Sequence, residues 1–245
     1  MRNGQEWFGE WFDSPYYHIL YKDRNYTEAH SFIDNISNYL NFDPNQKIMD
    51  LACGKGRHSI YLNKNGFNVV GLDLSPANVK FANKHSNDRL QFFEHDMRNI
   101  FRENEFDYVL NMFTSFGYFN TENENQLAIS NVAKGLKTGG KFVLDFLNPY
   151  KVIYHLTPEE IKIKEGIEFH ITKEVNNEGY IIKNIKFDDK ERSFSYYEKV
   201  KAIRKKEFLL YFKNAGLEVE EIFGDYVLSP YDCDCSERMI FIAKK

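Results

Sequence analysis

From Lys47 to Phe146 the chain alternates short apolar runs with segments of helical character, and this rhythm constrains the fold more than any other feature of it. Lys47-Ile48-Met49-Asp50-Leu51 predicts a strand that ends in Ala52-Cys53-Gly54-Lys55-Gly56, and a helix then runs through His58 to Leu62 and stops at Asn65-Gly66. Phe67 to Asp73 has the apolar continuity of a buried parallel strand. Ser75-Pro76 starts another helix, with serine at the N-cap and proline at the first helical position. Leu90 to Glu94, Phe106 to Met112 and Lys141 to Phe146 read as three more strands, with a helix over Glu122 to Leu136 before the last of them. Upstream, Ala29, Phe32, Ile33, Ile36 and Leu40 recur at helical spacing until Asp43-Pro44-Asn45 breaks the pattern. Strands alternating with helices predict a doubly wound α/β fold built on a parallel sheet, and right-handed crossovers leave few other topologies.

The rhythm changes after Pro149. Ile167 to Val175, Tyr180 to Phe187 and Arg192 to Val200 predict three strands joined by tight turns at Asn176-Asn177-Glu178-Gly179 and Asp188-Asp189-Lys190, an antiparallel layer. A helix over Lys205 to Ala215, closed by Gly216, and two strands, Leu217 to Phe223 and Arg238 to Ala243, return to the first sheet. The expected organisation is an N-terminal segment over residues 1–26, a main domain over 27–150 and 201–245, and an inserted antiparallel β flap over 151–200.

Bulk properties narrow the function classes. A net charge of −4 disfavours a dedicated nucleic-acid binder, and the one dense basic run, Lys199 to Lys206, reads as a solvated junction. No apolar run approaches the roughly 20 residues that span a bilayer, and Met1 to Trp7 lacks the apolar stretch of a signal peptide. The three cysteines include a C-x-C pair, Cys233 and Cys235, too few for a structural zinc site. Reduced thiols, no metal and a cytoplasmic location are the expectation.

Four segments at the predicted strand ends carry the chemistry. Asp50 to Gly56 joins a strand to a helix, where glycines let the backbone approach a ligand and the helix N-terminus offers free amides. The stricter G-x-G-x-x-G pattern fails, since Ser59 stands at its third glycine. Asp73 ends the next strand, 19 residues past Gly54, where an acid can accept both ribose hydroxyls of an adenosine; a capping aspartate is the alternative. Glu94-His95-Asp96-Met97 offers a carboxylate for an adenine amino group and a methionine to pack on the ring, with a turn role for Asp96 as the alternative. Asn111 to Phe119 is both aromatic and polar at the edge where open α/β sheets bind ligands, although its rings also suit capping of the core.

Taken in order, these segments resemble the class I S-adenosylmethionine-dependent methyltransferases over residues 27–245. Asp50 to Gly56 is similar to that family's D/E-x-x-C-G-x-G motif, Leu72-Asp73-Leu74-Ser75 to its second, His95-Asp96-Met97 to its third, and Phe106-Asp107-Tyr108-Val109 introduces its fourth. Leu136 to Gly140 matches the L-x-x-G-G turn before the fifth strand. The resemblance implies a Rossmann-like sheet of seven strands, the last antiparallel, and S-adenosyl-L-methionine as cofactor. It implies Gly54 and Gly56 at the amino-acid end, with Arg57 at the methionine carboxylate or on a helix surface. Asp73 and Leu74 fall at the ribose, Asp96 and Met97 at the adenine, and Asn111 at the cofactor edge. The flap resembles that of small-molecule methyltransferases, including sugar amine and glycine N-methyltransferases, whose Tyr-rich N-terminal segment closes over the cofactor. Tyr17, Tyr21 and Tyr26 fill that place here.

One departure bears on the acceptor. Nucleic-acid amine methyltransferases often carry N/D-P-P-Y/F after the fourth strand, and Asn111-Met112-Phe113-Thr114 has no proline, which disfavours base methylation. The leading reading is methyl transfer to a small molecule. Behind it stand a non-catalytic S-adenosylmethionine-binding module, methylation of protein or RNA, and a nicotinamide-dependent oxidoreductase. A homodimer through the flap is a further expectation. His18, His95 and His170 are candidates for a general base, and no catalytic residue is assigned.

Overall fold

The computed structural model describes residues 7–22 and 26–245. Three helices come first: α1 (Trp7–Asp13), α2 (Pro15–Leu20) and α3 (Tyr26–Tyr39). The alternating core follows as β1 (Lys47–Leu51), α4 (Arg57–Lys64), β2 (Asn68–Asp73), α5 (Pro76–Ala82), β3 (Leu90–Glu94), β4 (Phe106–Asn111), α6 (Glu122–Gly135) and β5 (Leu136–Leu147). After α7 (Pro149–Tyr154) come β6 (Glu159–Lys164), β7 (Ile167–Val175), β8 (Tyr180–Asp189) and β9 (Arg192–Lys201), then α8 (Lys205–Asn214), β10 (Glu218–Phe223) and β11 (Arg238–Lys244). Among the described residues no helix is long and apolar enough to cross a membrane.

Local signals explain the boundaries. The Ser75 side chain accepts from the Asn78 N–H to start α5, and Thr121 with Glu124 forms a reciprocal capping box at α6. Seven strands form the main sheet in the order β10-β11-β5-β4-β1-β2-β3, with β11 antiparallel to both its neighbours. The order reverses between β1 and β4, so the crevice beyond their C-terminal ends is the switch point of an open α/β sheet. Both faces are covered. Helices α6 and α8 pack Ile129, Val132, Phe208 and Phe212 on one side. Helices α3, α4 and α5 pack Phe32, Ile36, Leu62 and Val79 on the other.

The flap is a four-stranded antiparallel sheet, β6-β7-β8-β9, one strand more than the sequence reading predicts. The extra strand, β6, escapes notice because its pattern is inverted: Ile161 and Ile163 are exposed while Glu160, Lys162 and Lys164 are half-buried. Inward-pointing charge on an edge strand discourages pairing with other chains. The inner face of β7 and β8, with Phe169, Ile171, Ile185 and Phe187, is sealed by Trp11 and Leu20 from α1 and α2. The N-terminal helices therefore lie between the flap and the main sheet.

Phe208 is fully buried and meets Phe146 at 5.0 Å and Phe241 at 5.2 Å between ring centroids. Phe208→Ala is expected to cost about 3–5 kcal/mol of unfolding free energy, read from the urea midpoint at constant m-value.

Candidate active site

The turn after β1 is shaped by backbone that most side chains avoid. Ala52, Gly54 and Gly56 have φ of 62°, 58° and 79°. Gly54 borders a cavity, and its N–H donates to Asp73 Oδ2 at 2.7 Å. Gly56 turns the other way: a Cβ there would lie 2.7 Å from the Phe92 ring, so this glycine serves close packing of α4 on the sheet and lines neither cavity described below. Asp73 also accepts the Ser75 N–H on Oδ1 at 2.9 Å. Burial raises its carboxyl, and the two amide bonds pull against that rise.

Asp50 is 2% exposed and accepts the Ser59 hydroxyl at 2.5 Å. Ser59, the residue that breaks the stricter glycine pattern, is thus the partner that makes a buried carboxyl tolerable. Burial pushes Asp50 up to about 6, the Ser59 bond opposing it. The neighbouring Cys53 thiol is raised well above its usual range by burial and stays protonated, an apolar contact rather than a nucleophile.

Two cavities open at the C-terminal ends of the strands. The smaller, about 90 Å³, is lined by Phe8 and Phe12 of α1, by Leu74, Asp96 and Met97, and by Phe119. The larger, about 440 Å³, is lined by Tyr17, His18 and Tyr21 on one side and by Gly54, Arg57, His58 and Phe113 on the other. Asp73, Ser115, Phe12 and Tyr118 border both, so the two meet at the Asp73 carboxylate.

The structure brings most of the expected residues to this crevice, but not all in the same way. Asp96 reaches the smaller cavity already held by Arg98, which donates from Nε and, at 2.6 Å, from Nη2. Burial raises Asp96, and the Arg98 bonds and charge outweigh it, so the carboxyl sits below its usual range. Asn111 is fully buried behind the wall; its Nδ2 donates to Leu51 O and Ser115 O at 3.0 and 3.2 Å, and it lines neither cavity. Arg57 donates from Nε to His58 Nε2 at 3.1 Å, and the His58 ring stacks on Phe113 at 4.8 Å. Tyr17 packs edge-on to Phe12 at 5.0 Å. The side chain of Tyr26 lies outside the described residues.

Among the three histidines expected as general-base candidates, His18 lines the larger cavity and His95 the smaller. His170 stands on the exposed face of the flap, paired with Glu168 at 2.8 Å, and borders neither. Sequence reasoning missed Phe8 and Phe12. The aromatic pairs Trp7/Trp11 and Phe8/Phe12 at i, i+4 are the signal that would have marked α1 as an amphipathic helix.

The family described as "Methyltransferase domain" matches residues 48–140, from β1 into the start of β5. A protein of Geobacillus sp. (strain WCH70) that carries a methyltransferase name is 25% identical over 98% of this chain and 99% of its own. The dTDP-3-amino-3,4,6-trideoxy-alpha-D-glucopyranose N,N-dimethyltransferase of Streptomyces venezuelae is 33% identical over 40% of this chain and 41% of that enzyme. A solved S-adenosylmethionine-dependent methyltransferase from Clostridium acetobutylicum ATCC 824 shares the fold, with a TM-score of 0.79, 21% identity and coverage of 94% and 95% of the two chains. The family match and the Geobacillus relative support a class I S-adenosylmethionine-dependent methyltransferase. The matched segment carries Asp50, Gly54, Asp73 and Asp96 and excludes the flap.

The raised Asp50 carboxyl fixes the sign of one pH effect. In the unfolded chain Asp50 ionises near 3.9, so between about pH 4 and pH 6 the unfolded state sheds a proton that the folded state keeps. Its contribution is fully present below pH 4 and lost as pH rises through 6. Relative to Asp50→Asn, the wild type is expected to lose up to about 3 kcal/mol of stability between pH 4 and pH 7.5, read by urea unfolding of both proteins. A pH-independent difference between the two would overturn the assignment.

Proposed function

We propose that this chain transfers a methyl group from S-adenosylmethionine to a small-molecule acceptor bound in the larger cavity, between α2 and the turn at Phe113. The observation that carries the reading is the meeting of the two cavities at Asp73, whose carboxylate is held by backbone amides and retains lone pairs toward the crevice. The residues fit the cofactor: an apolar slot beside Leu74 and Met97 suits an adenine, a fixed acid at its mouth suits a ribose, and the glycine turn with Arg57 suits an amino-acid end. When bound, S-adenosylmethionine supplies an electrophilic sulfonium methyl.

What remains for the protein is binding, alignment and exclusion of water. Asp73 would take the ribose hydroxyls, while Phe8 and Phe12 cover the adenine slot from above. Phe12, Tyr17 and Tyr118 ring the junction of the cavities, with Phe12 5.0 Å from Tyr17 and 5.5 Å from Tyr118. Aromatic faces there attract a cation by about 0.5–2 kcal/mol and keep water out. Holding acceptor and methyl in line removes much of the entropy cost of meeting, an effect worth several kcal/mol. His18 borders the larger cavity and would take a proton from an acceptor that enters protonated.

The amino-sugar N,N-dimethyltransferase named above supports a small acceptor, as does a crevice roofed by helices rather than open to a long chain. A nicotinamide cofactor gains no support, since the third glycine of its turn is replaced by Ser59, which is committed to Asp50.

Calorimetric titration is expected to show micromolar binding of S-adenosylmethionine and S-adenosylhomocysteine. Asp73→Ala is expected to weaken both by at least about tenfold, each bond to a charged group being worth roughly 1.5–3 kcal/mol. Transfer of labelled methyl groups to a panel of small amines and hydroxyl compounds then identifies the acceptor. Absence of adenosyl-ligand binding by the wild type would sink the reading.

A further inference from the structure

Phe113 and Thr114, just past the end of β4, both have positive φ, 58° and 60°. Neither is a glycine, and a bulky aromatic followed by a β-branched residue is a costly pair to hold in the left-handed region. Something must compensate, and it lies directly beneath. Asp145 on β5 is fully buried and accepts the Phe113 N–H on Oδ2 at 2.7 Å, while its own backbone carbonyl accepts the Thr114 N–H at 3.1 Å. Arg238, at the start of β11 with its side chain 18% exposed, donates from Nε to Asp145 Oδ1 at 2.8 Å and from Nη2 to Thr114 Oγ1 at 2.8 Å. Tyr226 adds its hydroxyl to Asp145 Oδ2 at 3.3 Å, with its ring 5.3 Å from that of Phe113.

The strained dipeptide faces the crevice on its other side. Phe113 lines the larger cavity and carries His58 stacked on its ring. The Thr114 carbonyl accepts the Tyr118 hydroxyl at 2.5 Å, and Tyr118 borders both cavities. We propose that Asp145 and Arg238 are positioning residues: this buried ion pair locks the Phe113–Thr114 turn in its strained form and thereby sets Phe113 and Tyr118 as the wall on which cofactor and acceptor are aligned. The inference rests on the functional reading above only for what the wall contacts. The lock itself is a property of the ligand-free protein.

Asp145→Asn keeps the size of the side chain but removes its charge. Arg238→Lys keeps the charge but cannot serve Asp145 and Thr114 together. Both are measured well below their unfolding temperatures. In each, amide hydrogen exchange in the ligand-free protein is expected to speed up roughly tenfold or more over residues 112–118, with β1 and β2 unchanged. S-adenosylhomocysteine affinity is expected to fall roughly tenfold or more, because the ligand must then restore the strained turn. Glycine adopts this φ without cost, so Thr114→Gly added to Asp145→Asn is expected to recover part of that loss. Uniform loosening of exchange across the sheet, or exchange unchanged over 112–118, overturns the proposal. If the wild type binds no S-adenosylhomocysteine, the cofactor reading fails, and the exchange experiment alone still decides whether the pair locks the turn.

Discussion

The carboxylate of Asp73 is the point from which the crevice at the C-terminal edge of the sheet is organised. It stands at the end of β2 and accepts one amide from the glycine turn after β1 and another from the start of the chain leading into α5. Two connections from neighbouring strands are thereby fixed to one charged group, each bond strengthened by that charge. A parallel sheet brings strand ends together but leaves the loops beyond them free to diverge. The Asp73 contacts remove that freedom where the smaller cavity meets the larger.

A second carboxyl, Asp50, works from below the same turn and shows the opposite strategy. Asp73 borders both cavities. Asp50, almost wholly buried at the border of the larger cavity, accepts the Ser59 hydroxyl, so it holds strand and helix together at the cost of a raised pKa. Buried charge recurs on the far side of the crevice, where Asp145 and Arg238 satisfy each other and the backbone above them. The crevice is thus braced by buried carboxyls that are paired within the protein.

Much of this was legible in the sequence because parallel strands are short, apolar and punctuated by glycine, so β1 to β5 and the residues at their ends fall where pattern places them. What was not legible has particular causes. Strand β6 was missed because its isoleucines face outward and its lysines inward, the reverse of the usual pattern. Helices α1 and α2 are seven and six residues long, two turns or fewer, and such short helices hold their form by packing on the flap and on Tyr118 and Phe119. Asn111 reads as a ligand contact from its place after β4, yet it is fully buried, its Nδ2 bridging Leu51 and Ser115, and it lines neither cavity. The Asp145–Arg238 pair joins positions 93 residues apart, and no local pattern can show such a contact.

The apolar inner face of the flap has its own consequence for how this architecture can be divided. Ile167, Phe169, Ile171, Ile185 and Phe187 are shielded by Trp11 and Leu20, so a core lying at the middle of the chain is completed by residues from its beginning. A chain cut after α2 would leave a sheet with a greasy face turned to water, and a chain without the flap would expose Trp11 and Leu20. In packing terms α1, α2 and the flap form one unit, even though some 140 residues separate them in sequence.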